Sequence, residues 1–224
     1  MFCDITPEND ACVTFKMRAF GALASRRREV HFRRMFIQTE TTPNPEVLKF
    51  LPGREVLGDG AREFRTPEEG DASPLAKALF ELGDVSRVFF GPDFLTVTKG
   101  EDAQWPHLKA PILAAIMDHF TSGRPLLLDQ TAESGGHDEG DYDEETSQIV
   151  AEIKELLDTR IRPAVAQDGG DIVFSRFEPQ TGVVWLHMRG ACSGCPSSSA
   201  TLKSGVENML KHYVPEVTRV EQTL

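Results

Sequence analysis

Two periods organise the apolar residues of this chain. Ile149, Ile153, Leu156 and Leu157 recur at i, i+4, i+7 and i+8, the spacing of one helix face. Pro163 falls just past the last apolar turn. Asp168-Gly169-Gly170-Asp171 reads as a turn: two glycines permit positive φ, and the flanking aspartates can bond local backbone. Strands are predicted at Ile172 to Phe177 and Val183 to Met188, around Pro179-Gln180-Thr181-Gly182. Leu202, Val206, Met209, Leu210 and Tyr213 mark a second amphipathic helix. Pro215 follows it, and Val217 to Val220 alternates as a last short strand, giving the order α-β-β-α-β.

Upstream, Phe36 to Glu40 reads as a strand broken by Thr42-Pro43-Asn44-Pro45, with further strands at Val47 to Leu51 and Glu55 to Leu57. Ser73-Pro74 signals a helix start, serine as N-cap and proline at the first helical position. Leu75, Leu79 and Leu82 form its apolar stripe, and Gly83 stops it. Val85 to Phe90 and Phe94 to Thr98 are strands joined by Gly91-Pro92-Asp93. Pro106 to Phe120 is a helix ended by Gly123 and Pro125. The class is α+β. This half groups no Cys, His or carboxylates at ligand spacing; His107 and His119 are expected to be surface or satisfied residues, and the phenylalanines core.

Charge divides the chain further. Of 224 residues, 24 are Lys or Arg and 35 are Asp or Glu, a net charge of −11. An acidic protein repels phosphate backbones, which argues against nucleic acid as the main partner. The longest apolar run, Ala110 to Met117, is far short of the roughly 20 residues of a membrane span, so no membrane is expected either. Residues 1–34 carry seven basic and four acidic residues, a net of +3 that leaves −14 on the other 190. This leader has no hydrophobic period and is expected to be disordered or mis-started, with Met35 as the true first residue. An Arg-rich targeting segment counted from Met17 is the alternative; Asp4, Glu8 and Asp10 are wrong for a transit peptide. Asp129 to Glu145 holds eight acidic residues and no basic one, and reads as a flexible linker, with His137 solvated among its carboxylates. Two bodies remain, residues 35–128 and 146–224, each the size of a small domain.

Chemistry concentrates in Gly190-Ala191-Cys192-Ser193-Gly194-Cys195-Pro196-Ser197-Ser198-Ser199, between a predicted strand and helix. Pro196 suits the first helical turn. The helix N-terminus is expected to lower a thiol pKa there, and Gly190 and Gly194 let the backbone bend around a bulky ligand. Cys192 and Cys195 can grip one zinc or two irons of one cluster. Either site wants four ligands. Cys3 and Cys12 lie beyond the first body, and His187 belongs to the preceding strand. A second copy of the same loop across a two-fold axis is the economical completion. From the motif alone, a dithiol redox site stands level with a metal site.

Four segments together resemble one family. Met35 to Glu40 with Thr42-Pro43-Asn44-Pro45, and Phe89-Phe90-Gly91-Pro92-Asp93-Phe94, are similar to the N-terminal domain that accompanies Nfu-type proteins. Asp168-Gly169-Gly170-Asp171 and Gly190 to Ser198 resemble the NifU C-terminal domain, and the likeness covers nearly everything from Met35 to Leu224. The resemblance implies a non-enzymatic iron–sulfur scaffold or carrier. It implies a [4Fe–4S] cluster held between two chains by Cys192 and Cys195, supplied by an upstream assembly machinery and delivered to apo client proteins. The rivals are a thioredoxin-like dithiol–disulfide oxidoreductase and a structural zinc dimer. No βαβ unit lies before the motif, and the residue directly before Cys192 is Ala191 and not a tryptophan, which disfavours the first. The expected compartment is the bacterial cytoplasm, with the mitochondrial matrix as alternative.

Overall fold

The computed structural model describes residues 36–58, 60–128, 142–193 and 196–223. The leader 1–34, the linker residues 129–141 (His137 among them) and Cys195 lie outside these described residues.

The first domain is a five-stranded antiparallel sheet with helices on one face. In chain order its elements are β1 (Gln38–Thr41), β2 (Val47–Leu51), β3 (Arg62–Phe64), α1 (Pro67–Gly70), α2 (Pro74–Phe80), β4 (Val85–Phe90), β5 (Leu95–Lys99) and α3 (Trp105–Ser122). The strands lie in the order β1-β2-β5-β4-β3. The β1–β2 connection is pinned by side chains: Thr42 Oγ1 has one hydrogen to give, with the Asn44 carbonyl at 2.8 Å and the Val47 carbonyl at 3.1 Å in reach, and Asn44 Oδ1 accepts from the Glu46 N–H. Ser73 caps α2 as the sequence predicts, its Oγ accepting from the Ala76 N–H at 3.2 Å. Phe50, Phe64, Phe90, Leu95 and Val97 face Leu75, Leu79, Ile112 and Ile116 in one core, with Phe64 and Phe90 edge to face.

The expected strand at Glu55 to Leu57 is not one. The Val56 and Leu57 N–H groups donate to the carbonyls of Pro92 and Gly91, docking this segment on the β4–β5 turn. The pairing strand is β3, where Arg62 and Glu63 broke the apolar signal.

The second domain has its own core. It contains α4 (Glu144–Leu156), a π-helical turn (Leu157–Ile161), α5 (Arg162–Gln167), β6 (Gly170–Glu178), β7 (Val183–Gly190), α6 (Pro196–Tyr213) and β8 (Arg219–Thr223). β6 and β7 form an antiparallel hairpin, and α6 crosses over to place β8 parallel to β7. The principal elements thus run α4-β6-β7-α6-β8, the α-β-β-α-β order predicted. α4 begins inside the acidic stretch: Asp143 caps it by accepting from the Thr146 N–H at 2.8 Å, and Glu144 and Glu145 suit the positive end of the helix dipole. Pro163 does not close the first helix. The wider π turn carries the chain past it, the Arg162 N–H returning to the Leu157 carbonyl, and Pro163 becomes an early residue of α5. Ile153, Leu157, Ile161 and Val165 therefore form one long stripe over Ile172, Val184, Leu186 and Leu210. Burying each such side chain contributes about 1.5–3 kcal/mol.

Among the described residues, no helix is long and apolar enough to cross a membrane. His119 is buried in α3, and its Nδ1 meets no hydrogen-bond partner among the described residues. Burial, reinforced by Arg124 and opposed by Asp118, holds its pKa below the usual histidine value. The unfolded chain therefore binds the proton first as pH falls. Stability contributed by the neutral ring is full above about pH 6.5 and declines below it. The parent is expected to lose more melting temperature than His119→Leu between pH 7.5 and pH 5.5, measured by thermal denaturation. Equal losses would remove His119 from the acid response.

Candidate functional site

The site is built where β7 runs out. Gly190, the last residue of β7, has φ +64°, a left-handed conformation that bends the chain out of the sheet. The Ala191 N–H donates to the Gly169 carbonyl at 3.1 Å, and the Ser193 N–H returns to the Gly190 carbonyl at 3.1 Å. Residues 190–193 are thus a tight turn fastened to the 168–171 turn, which takes its own bend from Gly169 at φ +84°.

Cys192 sits in this turn with its thiol directed inward. It is 5% exposed and belongs to the second domain's core. A Cβ placed on Gly170 would lie 2.3 Å from Cys192 Sγ, so the sulfur occupies the space where Gly170 has no side chain. Burial pushes the thiol up to about 12, and the carboxylates of Asp168 and Asp171 add to the effect. This is opposite to the lowered thiol pKa expected from the sequence. Cys192 belongs to the turn after β7 and to the core, not to the first turn of α6, so desolvation decides its state. Asp171 is itself held by Arg162, whose Nε and Nη2 reach its two oxygens at 2.8 and 3.3 Å.

A groove of about 670 Å³ opens beside Cys192, between the α4–α5 segment and α6. Ile161, Val165, Leu202, Val206 and Met209 make it largely apolar.

The structure places Cys192 alone of the candidate sulfurs, since Cys3, Cys12 and Cys195 lie outside the described residues. No group of three or more His, Cys, Asp or Glu able to hold a metal occurs among the described residues. His187, on β7, lies with Nε2 2.8 Å from Arg65 Nη2, and His107 is exposed.

Sequence reasoning missed the first domain's part in this site. The two domains belong to one compact unit, and the sheet face opposite the helices covers the cysteine turn. The Gly190 N–H donates to Glu63 Oε1 at 3.0 Å, and Arg87 Nη1 donates to Ser193 Oγ at 3.0 Å. The buried Lys49 Nζ donates to the carbonyls of Ala166 and Gln167, both at 3.0 Å, and so caps the C-terminal end of α5. A hint was present in the burial demand of β2, whose Leu48 and Phe50 face the core while Lys49 alternates to the other side. A strand lysine reads as solvent-facing unless the second layer is known.

Comparison with known proteins gives two family matches. The model described as "Scaffold protein Nfu/NifU N terminal" matches residues 37–123, and the one described as "NifU-like domain" matches residues 153–221. NifU-like protein 4, mitochondrial, of Arabidopsis thaliana is 55% identical over 190 residues, 85% of this chain and 66% of its own length. This chain therefore spans slightly less than two thirds of that relative. The NFU1 iron-sulfur cluster scaffold homolog, mitochondrial, of Homo sapiens is 51% identical over 195 residues, 86% of this chain and 73% of its own. A solution structure of a NifU-like protein from Saccharomyces cerevisiae covers 43% of this chain and 87% of its own, at 26% identity and a TM-score of 0.39. The expectation of a bacterial cytoplasmic protein is corrected by these relatives, which are mitochondrial proteins similar to most of the chain.

Proposed function

From the premise that the chain belongs to the Nfu/NifU-like family of iron–sulfur cluster scaffolds, which are non-enzymatic carriers, we propose that it carries a [4Fe–4S] cluster in the mitochondrion. Two copies hold the cluster, each giving Cys192 and Cys195, and pass it to apo client proteins after receiving it from an assembly machinery. The observation that carries this reading is the position of Cys192, on a short turn between β7 and α6 at the mouth of an apolar groove. Soft thiolate donors suit iron–sulfur cargo, and two per chain leave a site that only a second chain completes. A ligand shared at the edge of two molecules can be surrendered, as a carrier requires. The thiol as it faces now is protonated and enclosed, so loading includes turning Cys192 outward. Residues 146–224 hold the candidate ligands, and residues 35–128 support the turn and dock clients.

Anaerobic reconstitution with ferrous iron and sulfide tests this. The expected product is brown, has four irons per two chains and has twice the apo mass by native mass spectrometry. A complete cluster on a single chain overturns the shared site. A colourless product holding zinc, or one that is metal-free with a titratable disulfide, overturns the carrier reading.

A further inference from the structure

Ser193 is the point where the first domain grips the cysteine turn. Its hydroxyl accepts from Arg87 Nη1 at 3.0 Å and has one hydrogen to give, with the Gly190 carbonyl at 2.9 Å and Glu63 Oε1 at 3.3 Å in reach. Glu63 is firmly placed: its side chain is 6% exposed, Arg65 Nε donates to Oε2 at 2.8 Å, and the Gly190 N–H donates to Oε1 at 3.0 Å. One buried carboxylate thus ties the start of the turn, and one guanidinium ties the residue after Cys192. Both belong to neighbouring strands of the first domain, β3 and β4. Cys192 lies between the two tied residues. While Gly190 and Ser193 both stay fixed, the backbone that carries Cys192 holds its Cβ and thiol over the recess left by Gly170.

We propose that Glu63 and Arg87 are positioning residues for cluster binding: they latch the 190–193 turn with Cys192 facing the core, and the thiol becomes a ligand only when the latch opens. The first domain then sets the rate at which the site can load. The consequence for loading rests on the reading of Cys192 as a ligand; the latch itself does not. Hydrogen bonds to charged groups are the strong class, and losing one shifts a closed–open balance by about tenfold. Arg87 and Ser193 act through the same bond, so their removal should count once.

The test uses the full metal-free chain, native and at one fixed pH. Iodoacetamide labelling is followed peptide by peptide in the parent, Arg87→Met, Ser193→Ala and the double variant. Cys192 is expected to label about tenfold faster in each single variant, and no faster in the double. Labelling at Cys3 and Cys12 serves as the reference for reagent strength, and the far-ultraviolet circular dichroism as the reference for a folded chain. Ser193→Ala removes only a hydroxyl, so it keeps the test open should Arg87→Met fold poorly. Cys192 rates within twofold of the parent in Ser193→Ala, or gains that multiply in the double variant, overturn the latch. Reconstitution with iron and sulfide is the second readout, with uptake expected to accelerate by a similar factor. Fast labelling with iron content unchanged by Cys192→Ala would leave the latch standing and remove the ligand reading instead.

Discussion

Cys192→Ala is expected to leave the reconstituted protein without iron, and Cys195→Ala to do the same. Each substitution enters both copies of a two-chain site, so either one removes two of four thiolates. A [4Fe–4S] cluster retains little affinity on two sulfurs when no other soft donor is near, and no metal-binding group of His, Cys, Asp or Glu occurs among the described residues. Cys3→Ala and Cys12→Ala, singly or together, are expected to retain the full four irons per two chains. The apo-proteins provide a control for folding. Cys192 is a core residue, so its truncation should cost about 1 kcal/mol, visible as a small fall in melting temperature. Iron and sulfide per chain after gel filtration decide the matter. Loss of cluster in the Cys3/Cys12 double variant would show that the ligands have been misassigned.

The candidate site stood out in the sequence as a cysteine motif, while the burial of Cys192 did not. Cys-x-x-Cys with Pro196 behind it marked the junction of β7 and α6, because proline and glycine requirements at a strand-to-helix turn are local. The direction of Cys192 was not local. It depends on Gly170, twenty-two positions upstream in the chain but paired with Gly190 across the hairpin, which leaves a recess of sulfur size. The same limit governed the fold. β2 and β4 were readable to the residue from apolar runs between turn signals, and Ser73-Pro74 located α2 through its cap. β3 was missed because three residues with two charges carry no alternation. One of those charges serves the other domain: Glu63 bonds Gly190, an interaction between residues 127 positions apart. The acidic composition of residues 129–145 says nothing about the faces of the two domains it connects. The continuation of the helix through Pro163 is likewise set by geometry that the sequence pattern does not carry. A proline forbids one hydrogen bond, and a single π-helical turn supplied a way to continue.

Gly190→Ala is expected to lower the melting temperature by about 5–15 °C and to loosen the first domain from the cysteine turn. Three costs converge on one methyl group. Residue 190 has φ +64°, where alanine is disfavoured by about 1 kcal/mol or slightly more. The new Cβ would stand 2.8 Å from the Gly169 carbonyl oxygen, which is backbone and holds the Ala191 N–H, so it cannot simply rotate away. It would also stand 3.0 Å from the ring of Phe89, which fills the small apolar cluster between the domains with Ala61, Phe94 and Ala166. Overpacking of this kind costs about 1–3 kcal/mol, bringing the sum to roughly 2–5 kcal/mol, and each kilocalorie shifts the midpoint of a chain this size by about 2–4 °C. Relief can come by moving the turn away from Phe89, which stretches the Gly190–Glu63 hydrogen bond and turns Cys192 toward solvent. Gly205→Ala is the matched control. Gly205 lies within α6, a Cβ there meets nothing within 4 Å, and alanine should be neutral or stabilising by up to about 1 kcal/mol. Thermal denaturation of both variants, with Cys192 labelling alongside, gives the result. A Gly190→Ala protein that melts within 2 °C of the parent and keeps Cys192 protected would mean that the turn does not rest on the Gly169 carbonyl and Phe89 as described.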